Sequence, residues 1–252
     1  MAKLVLLSAA ALALMLSLIA VSSSVEDFDY FYLVQQWPGS YCTAKAGRCC
    51  FPDEEKPAPE FSIHGLWPQY LSCRPAAGAG AGAAAFDILA KPKKKCWPGN
   101  CDDRNPLKLR QIADLLPELN RRWPSLSCKK GATSMDFWSH EWRKHGTCSG
   151  LDQHGYFAAA LELRARHNLT GILAGAGIVP SDEAAYFLSG VRDAIREATG
   201  RDATVECNVN AAGEAQLVQV YLCYAADGSG RLIDCPPPVN RKCADKIKLP
   251  LF

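Results

Sequence analysis

Twelve cysteines constrain this 252-residue chain more than any other feature. All of them, from Cys42 to Cys243, follow an N-terminal segment with a basic start, an apolar run from Leu4 to Val21 and three serines. This order is typical of a secretory signal peptide, so we expect residues 1–24 to be removed and residues 25–252 to fold in an oxidising compartment. Twelve cysteines there would form up to six disulfides. A membrane anchor is the alternative, because the apolar run approaches spanning length.

The composition, 48% hydrophobic and 21% charged, is that of a globular chain rather than a disordered or fibrous one. A net charge of +2 neither identifies nor excludes a polyanionic substrate. We expect one domain, because Cys73 and Cys96 bracket the low-complexity tract, Ala76 to Ala85, which leads into a lysine-rich stretch. This insertion, at about residues 74–95, is either a surface loop tied by a disulfide or a cationic finger over a phosphate-binding groove.

Periodicity and turn residues predict a mixture of strands and helices. Strands are expected at residues 28–34, 60–66, 204–208, 216–224 and 232–233. Helices are expected after an Asn105 cap, with Pro117 bending the chain, over Tyr156 to His167, and from a Ser181 cap to Gly200. Their segregation along the chain predicts an α+β fold: a single domain with a central antiparallel sheet, surrounding helices and disulfide staples.

Three of the five histidines fall in two short segments. His64 lies in SIHGLWP, and His140 and His145 lie in FWSHEWRKHGTC. The other two, His154 and His167, have no such neighbours, and we expect both at the surface.

A helical second segment would place His140, Glu141, Lys144 and His145 within an arc of about 140°. Two imidazoles, an ammonium and a carboxylate on one face suit a cleft that binds an anion. A zinc helix of the H-E-x-x-H type is the competing pattern, but it needs its histidines four residues apart. These are five apart, and Lys144 would lie beside the ion. We therefore expect no metal and no cofactor.

Paired histidines with a lysine and a carboxylate suit the cleavage of RNA by its own 2′-hydroxyl. One neutral imidazole takes the hydroxyl proton as general base, and one protonated imidazole gives a proton to the departing 5′-oxygen. These opposite protonation states predict a bell-shaped pH profile. Because DNA lacks the attacking hydroxyl, we expect RNA and not DNA as the partner.

Both histidine segments, in this order and with these cysteines, resemble the two active-site segments of the ribonuclease T2 family. The mature chain, from FYLVQQWPGSYC to the C-terminal LPLF, is similar to plant S-like ribonucleases. The resemblance implies an α+β fold and endonucleolytic cleavage through a 2′,3′-cyclic phosphate, often with an acidic optimum. The long insertion between Cys73 and Cys96 departs from the usual family pattern and bears on access to the cleft.

The resemblance also implies a role for each site residue. His145 would be the general base, His64 the general acid and His140 the phosphate ligand, while Glu141 and Lys144 would stabilise the transition state and set the imidazole pKa values. Lys144 should favour a neutral His145, and Glu141 a charged one. Groups that bind the flanking bases would be Gln36, Trp67, Phe137 and Trp138. Their alternative role is in the hydrophobic core.

The implied disulfides are Cys42–Cys49, Cys50–Cys128, Cys73–Cys96, Cys101–Cys148, Cys207–Cys243 and Cys223–Cys235. Asn168 begins an N-glycosylation sequon, so a glycan is expected there. We expect a monomer that is secreted or vacuolar and carries no membrane anchor after cleavage. Two alternatives on the same fold stay open: a storage or defence protein with little activity, and a recognition protein for another ligand.

Overall fold

The computed structural model describes residues 27–45, 49–52, 55–75, 94–127, 132–237 and 243–252. The expected signal peptide and most of the insertion lie outside these residues. The strands and α-helices are β1 (Tyr30–Gln36), α1 (Pro38–Cys42), β2 (Ser62–Gln69), β3 (Arg74–Pro75), β4 (Lys94–Lys95), α2 (Leu116–Arg122), α3 (Ser134–Lys144), α4 (Gln153–Arg166), α5 (Leu169–Gly175), β5 (Ser181–Phe187), α6 (Leu188–Thr199), β6 (Thr204–Val209), β7 (Ala215–Ala225), β8 (Leu232–Ile233) and β9 (Lys246–Leu249).

Strand β7 is the centre of the sheet. It pairs antiparallel with β1, β6 and β8, and parallel with β9 where Gln216 meets Lys248. The strand order is β2-β1-β7-β9-β5, with β6 and β8 also on β7. Short 3₁₀ turns occupy Leu109–Gln111, Ala113–Leu115 and Gly146–Cys148. The expected α+β domain with a central sheet is confirmed, and the sheet is antiparallel except at the β7–β9 contact.

Helix α4 is fixed against β2 by an apolar face. The Asp152 side chain caps its first turn, which satisfies a backbone N–H that the helix leaves free. Its buried residues recur at helical spacing, among them Tyr156, Ala160 and Leu163. The Tyr156 hydroxyl donates to the carbonyl of Leu66 at 3.0 Å. This packing holds the strand that carries His64.

The pairing of β1 with β2 is interrupted at His64. Val34 lies opposite Gly65 and Gln35 lies opposite Ile63, so His64 is an extra residue without a partner on β1. A bulge of this kind changes the direction of a side chain and the phase of the strand. Ile63 and residues beyond the bulge can therefore remain in the core while His64 turns into the site.

The helix expected after Asn105 begins later than predicted. Helix α2 starts at Leu116, and Pro117 lies in its first turn, where proline costs no hydrogen bond, so Pro117 starts the helix rather than bending it. The carbonyl of Asn105 accepts from Trp142 Nε1 at 2.7 Å, and its side-chain oxygen accepts from Gln153 Nε2 at 2.8 Å. The prediction of an Asn105 cap was wrong because tertiary contacts use these groups.

The helix expected from Ser181 also begins later, at Leu188. Residues 181–187 form β5, which pairs with β9 far along the chain, so the prediction of a cap was wrong. Ser181 Oγ does accept a backbone hydrogen bond, from Ala184 N–H at 3.0 Å, but within a turn of the strand. The predicted end at Gly200 was right, since this residue closes α6 with a φ of 71°.

Other boundaries shift by a few residues. The first two expected strands start two residues early, because β1 and β2 begin at Tyr30 and Ser62. His154 is exposed beside Asp114, as expected. His167 was expected at the surface but is half-buried, with Nδ1 2.8 Å from the Tyr224 hydroxyl.

Disulfides tie the loops to this framework. The described bonds are Cys42–Cys49, Cys73–Cys96, Cys101–Cys148, Cys207–Cys243 and Cys223–Cys235, each among the pairs that the resemblance implies. The expected partner of Cys50, Cys128, lies outside the described residues. Asn168 is exposed, and its side chain caps α5. Within the part of the chain described, no helix has the length and apolarity needed to cross a membrane.

Candidate active site

Helix α3 and the turn after it carry most of the expected catalytic residues. The helix begins with a capping box, in which Thr133 Oγ1 accepts from Asp136 N–H at 3.3 Å and Asp136 Oδ2 accepts from Thr133 N–H at 2.8 Å. It ends at Lys144. His145 follows as the C-cap, and its N–H donates to the carbonyl of Glu141 at 2.9 Å. His145 therefore leaves the helix at its own angle instead of continuing the predicted helical face.

Trp67 joins strand β2 to this helix. Its indole N–H donates to Glu141 Oε2 at 2.7 Å, and its ring stacks on His145 with 5.0 Å between ring centroids. Gly65 lies directly against this contact, because a Cβ there would collide with Trp67 Nε1 and Glu141 Oε2. The indole thus fixes the His145 ring relative to the strand that carries the other catalytic candidate.

His64 enters the site from the β2 bulge. Its ring centroid lies 5.1 Å from that of Trp67 and 5.7 Å from that of Phe137. Its carbonyl accepts from Trp123 Nε1 at 3.0 Å, which satisfies a backbone group at the bulge. Its Nδ1 lies 2.6 Å from Gln219 Nε2. The backbone and the ring of His64 are both held by hydrogen bonds.

Burial dominates the protonation of both histidines. Burial, followed by the charges of Lys144, His140 and His64, lowers the pKa of His145 from 6.5 to about 3. Burial, followed by Lys144 and His140, lowers the pKa of His64 from 6.5 to about 4. Partial burial, Lys144 and Arg143 also lower the pKa of His140. The Nδ1 atom of His145 is buried without a hydrogen-bond partner among the described residues, as suits a neutral ring.

Glu141 is held in its neutral form. Burial raises its pKa from 4.5 to about 8, against the smaller lowering effects of the Trp67 hydrogen bond and Lys144. Glu141 therefore does not favour a charged His145, contrary to expectation. Lys144 forms no ion pair with any described residue, so the site carries a net positive charge toward an anion.

The structure brings most of the predicted site together. One set of direct ring and hydrogen-bond contacts links His64, Trp67, Phe137, Glu141 and His145. His140 and Lys144 act on both of the other histidines through their charge.

Trp138 does not line the site. It is 2% exposed, and its indole N–H donates to the carbonyl of Trp123 at 2.8 Å. The expectation that Trp138 stacks on a base is contradicted, because its ring belongs to the core. Gln36 is also buried, on β1 opposite Gln219 of β7.

Sequence reasoning missed three residues that lie behind His64. Gln219 and Tyr221 come from β7, and Glu206 comes from β6. Tyr221 contacts both of the others through its hydroxyl. The available signal was Gln219 and Tyr221, two residues apart in a mostly apolar strand, which places them on one face of the sheet.

A groove of about 450 Å³ opens beside His140 and is lined by Pro106, Leu107, Asp136, Ser139, His140 and Arg143. Arg143 is exposed and forms no ion pair with another described residue. Among the described residues, no group of three or more His, Cys, Asp or Glu side chains is placed to hold a metal ion.

The model of the Ribonuclease T2 family matches residues 28–235. The chain belongs to the ribonuclease T2 family. Ribonuclease 1 of Arabidopsis thaliana is 45% identical over 94% of this chain and 92% of its own length. Two proteins of Solanum lycopersicum, extracellular ribonuclease LE and intracellular ribonuclease LX, are 42% and 41% identical, over 93% of this chain and 92% and 89% of their own lengths.

The fold agrees with this membership. The crystal structure of RNase NT in complex with 5′-AMP superposes with a TM-score of 0.76 at 41% identity, covering 90% of this chain and all of that one. The chain is therefore an endoribonuclease of the ribonuclease T2 type, and RNA is its substrate. The similar plant ribonucleases include an extracellular and an intracellular form.

Proposed function

We propose that the site cleaves single-stranded RNA by attack of the 2′-hydroxyl on the adjacent phosphorus, leaving a 2′,3′-cyclic phosphate and a free 5′-hydroxyl. The observation that carries this proposal is a pair of imidazoles, half-buried His64 and buried His145, held around one indole beside Lys144, which pairs with no described acidic residue. Such a pair can move two protons without an enzyme nucleophile.

His145 is the general base in this proposal, because its low pKa keeps it neutral and able to accept the 2′-hydroxyl proton. The new O–P bond forms as the P–O5′ bond breaks. His64 donates the proton that the departing 5′-oxygen needs. His140 and Lys144 stabilise the negative charge on the phosphoryl oxygens in the transition state.

In the proposal the Glu141 side chain is an un-ionised carboxylic acid that takes no part in proton transfer. It accepts from Trp67 and so keeps the indole, and through it the His145 ring, in position. It assists transition-state stabilisation in this indirect way. Phe137 and Trp67 present faces on which a flanking base can stack. Gln36 stays a proposed hydrogen-bonding group for a flanking base, although it is only 3% exposed. Metal ions have no part in the proposed chemistry, and DNA is inert because it has no 2′-hydroxyl.

The chain is proposed to enter the secretory pathway through residues 1–24 and to act as a monomer outside the cell or in the vacuole. Five described disulfides suit that oxidising route. Asn168 is exposed, as a glycan acceptor must be, and a glycan on Nδ2 would leave Oδ1 able to accept from Gly171 N–H and cap α5. A mass loss after glycosidase treatment of secreted protein would support occupancy, and an unchanged mass would refute it.

The proposal is tested with the disulfide-bonded protein in EDTA, by measuring cleavage of a dinucleoside phosphate and identifying the product ends. His64→Ala and His145→Ala should each reduce kcat/KM by at least about 10². His154→Ala is the matched control, because this exposed histidine pairs with Asp114 and should leave the rate unchanged. Full activity of either active-site variant, 3′-phosphate ends formed without a cyclic intermediate, or cleavage of DNA would refute the mechanism.

A further inference from the structure

A chain of side-chain hydrogen bonds connects His64 on β2 to a carboxylate on β6, three strands away in the sheet. Gln219 Nε2 lies 2.6 Å from His64 Nδ1, and Gln219 Oε1 accepts from the Tyr221 hydroxyl at 2.6 Å. The same hydroxyl contacts Glu206 Oε2. The sheet sets this order, because Gln219 and Tyr221 are two residues apart on β7 and Glu206 is the β6 partner of Gln219.

In this arrangement His64 can only be neutral. An amide nitrogen is a donor, so Nδ1 of His64 must accept and its ring proton must lie on Nε2. A general acid, however, must first carry two ring protons, and Nδ1 then becomes a donor facing another donor. With the amide in this orientation, the contact between His64 and Gln219 must change before His64 can carry the proton that a general acid donates.

Rotation of the Gln219 amide by about 180° resolves the conflict. Oε1 then accepts from His64 Nδ1–H, and Nε2 donates to the Tyr221 hydroxyl oxygen. The hydroxyl has one hydrogen, which it can give to only one of its two acceptors. After rotation that hydrogen is directed to Glu206 alone. In the rotated orientation Nδ1–H of His64 can donate to Oε1 whether or not Nε2 carries a proton, so these hydrogen bonds are kept when His64 gives up its Nε2 proton.

The other groups around His64 do not favour its protonated form. Lys144 and His140, both on α3, lower its pKa, and Phe137 and Trp67 are uncharged. Glu141, on the same helix, is neutral and bonded to Trp67. Among the described residues, hydrogen bonds through Gln219 and Tyr221 therefore connect His64 to a carboxylate, that of Glu206.

We propose that Gln219 is a positioning residue whose amide, in the rotated orientation, accepts from His64 Nδ1–H and is supported there by Tyr221 and Glu206. This inference rests on the proposed role of His64 as general acid. Gln219 makes no contact with the reacting atoms in the proposal. It sets how readily His64 is protonated and which nitrogen faces the leaving oxygen.

The test follows kcat/KM for a dinucleoside phosphate against pH, together with the NMR titration of the His64 ring. Gln219→Leu removes both hydrogen bonds and should move the alkaline limb toward lower pH by about one unit, with a roughly tenfold loss above the optimum. Gln219→Glu offers only acceptors and should move the limb toward higher pH by about one unit or more. Tyr221→Phe should cause a smaller shift in the same direction as the leucine variant.

The matched control is Tyr224→Phe, which removes a tyrosine hydroxyl from the same strand and its hydrogen bond to His167, a histidine outside the site, and should leave the limb in place. Equal rate losses at every pH with an unmoved His64 titration would show a purely structural role and overturn the inference. The same shift for leucine and glutamate at position 219 would also overturn it. His64→Ala, run alongside, separates the two failures: if that variant stays active, the proposed mechanism fails rather than the role of Gln219.

Discussion

Replacing Glu141 with glutamine tests the assignment of a neutral carboxyl in the site. The buried group has a pKa of about 8 in the folded protein, against 4.5 when exposed, so the folded state keeps a proton that the unfolded state releases. Wild-type stability from this group is complete below pH 4.5 and is lost as pH rises toward 8. At about 1.4 kcal/mol for each pKa unit, the loss is at most about 5 kcal/mol.

Glutamine has nearly the same shape and does not titrate, so Glu141→Gln should lack this loss. Urea unfolding, followed by tryptophan fluorescence, gives the free energy of unfolding of both proteins at pH 4.5, 6 and 8. The variant should gain several kcal/mol relative to wild type between the lowest and highest pH. The contributions of His64 and His145, which have depressed pKa values and oppose stability at low pH, are common to both proteins and largely cancel.

Glu197→Gln, on the exposed surface of α6, is the control and should show the same small difference at each pH. A Glu141→Gln difference that stays constant with pH, or that falls as pH rises, would mean that Glu141 is ionised in the fold. The positioning role proposed for the neutral carboxyl would then be wrong.

Three further predictions follow. For a dinucleoside phosphate, kcat/KM should fall above pH 4 as His64 loses its proton and below pH 3 as His145 gains one; a flat profile from pH 4 to 8 would refute the two-histidine mechanism. Trp138→Ala should cost about 3–5 kcal/mol of unfolding free energy in urea, while Phe137→Ala should chiefly raise KM. If one phosphate of long RNA occupies the groove, Arg143→Gln should reduce the slope of log KM against log salt concentration by about 0.7. A dinucleoside phosphate, which does not reach the groove, should show no such change.

The grouping of His64 and His145 around Trp67 was predictable because each histidine lies in a short segment of residues suited to one site. For Trp138, the helical phase of the same segment argued against the base-binding role that the resemblance implied. On a helix, residues four apart share a face, so Trp138 lies on the side of Trp142, outside the arc of about 140° that would hold His140 to His145. The base-binding role of Trp138 conflicted with that phase, and the structure buries both rings.

Features that depend on distant pairing could not be predicted. Ser181 has the local properties of a helix cap, but its segment becomes a strand because β9 lies beside it. Gln219 reaches His64 only through the register of three strands. The protonation of Glu141 depends on burial beneath Trp67, which no spacing of charged residues reveals.

The extra residue in β2 also limits how this site could be transferred to another protein. His64 faces Gln219 because the strand gains one residue against β1 at that point, not because of the motif letters alone. Copying SIHGLWP into a regular strand would impose strict alternation and direct the imidazole and the indole to opposite sides. An engineer would need to graft the irregular strand pair as a unit, because deleting Ile63 would restore regular pairing and leave His64 and Trp67 three residues apart, on opposite faces of the strand.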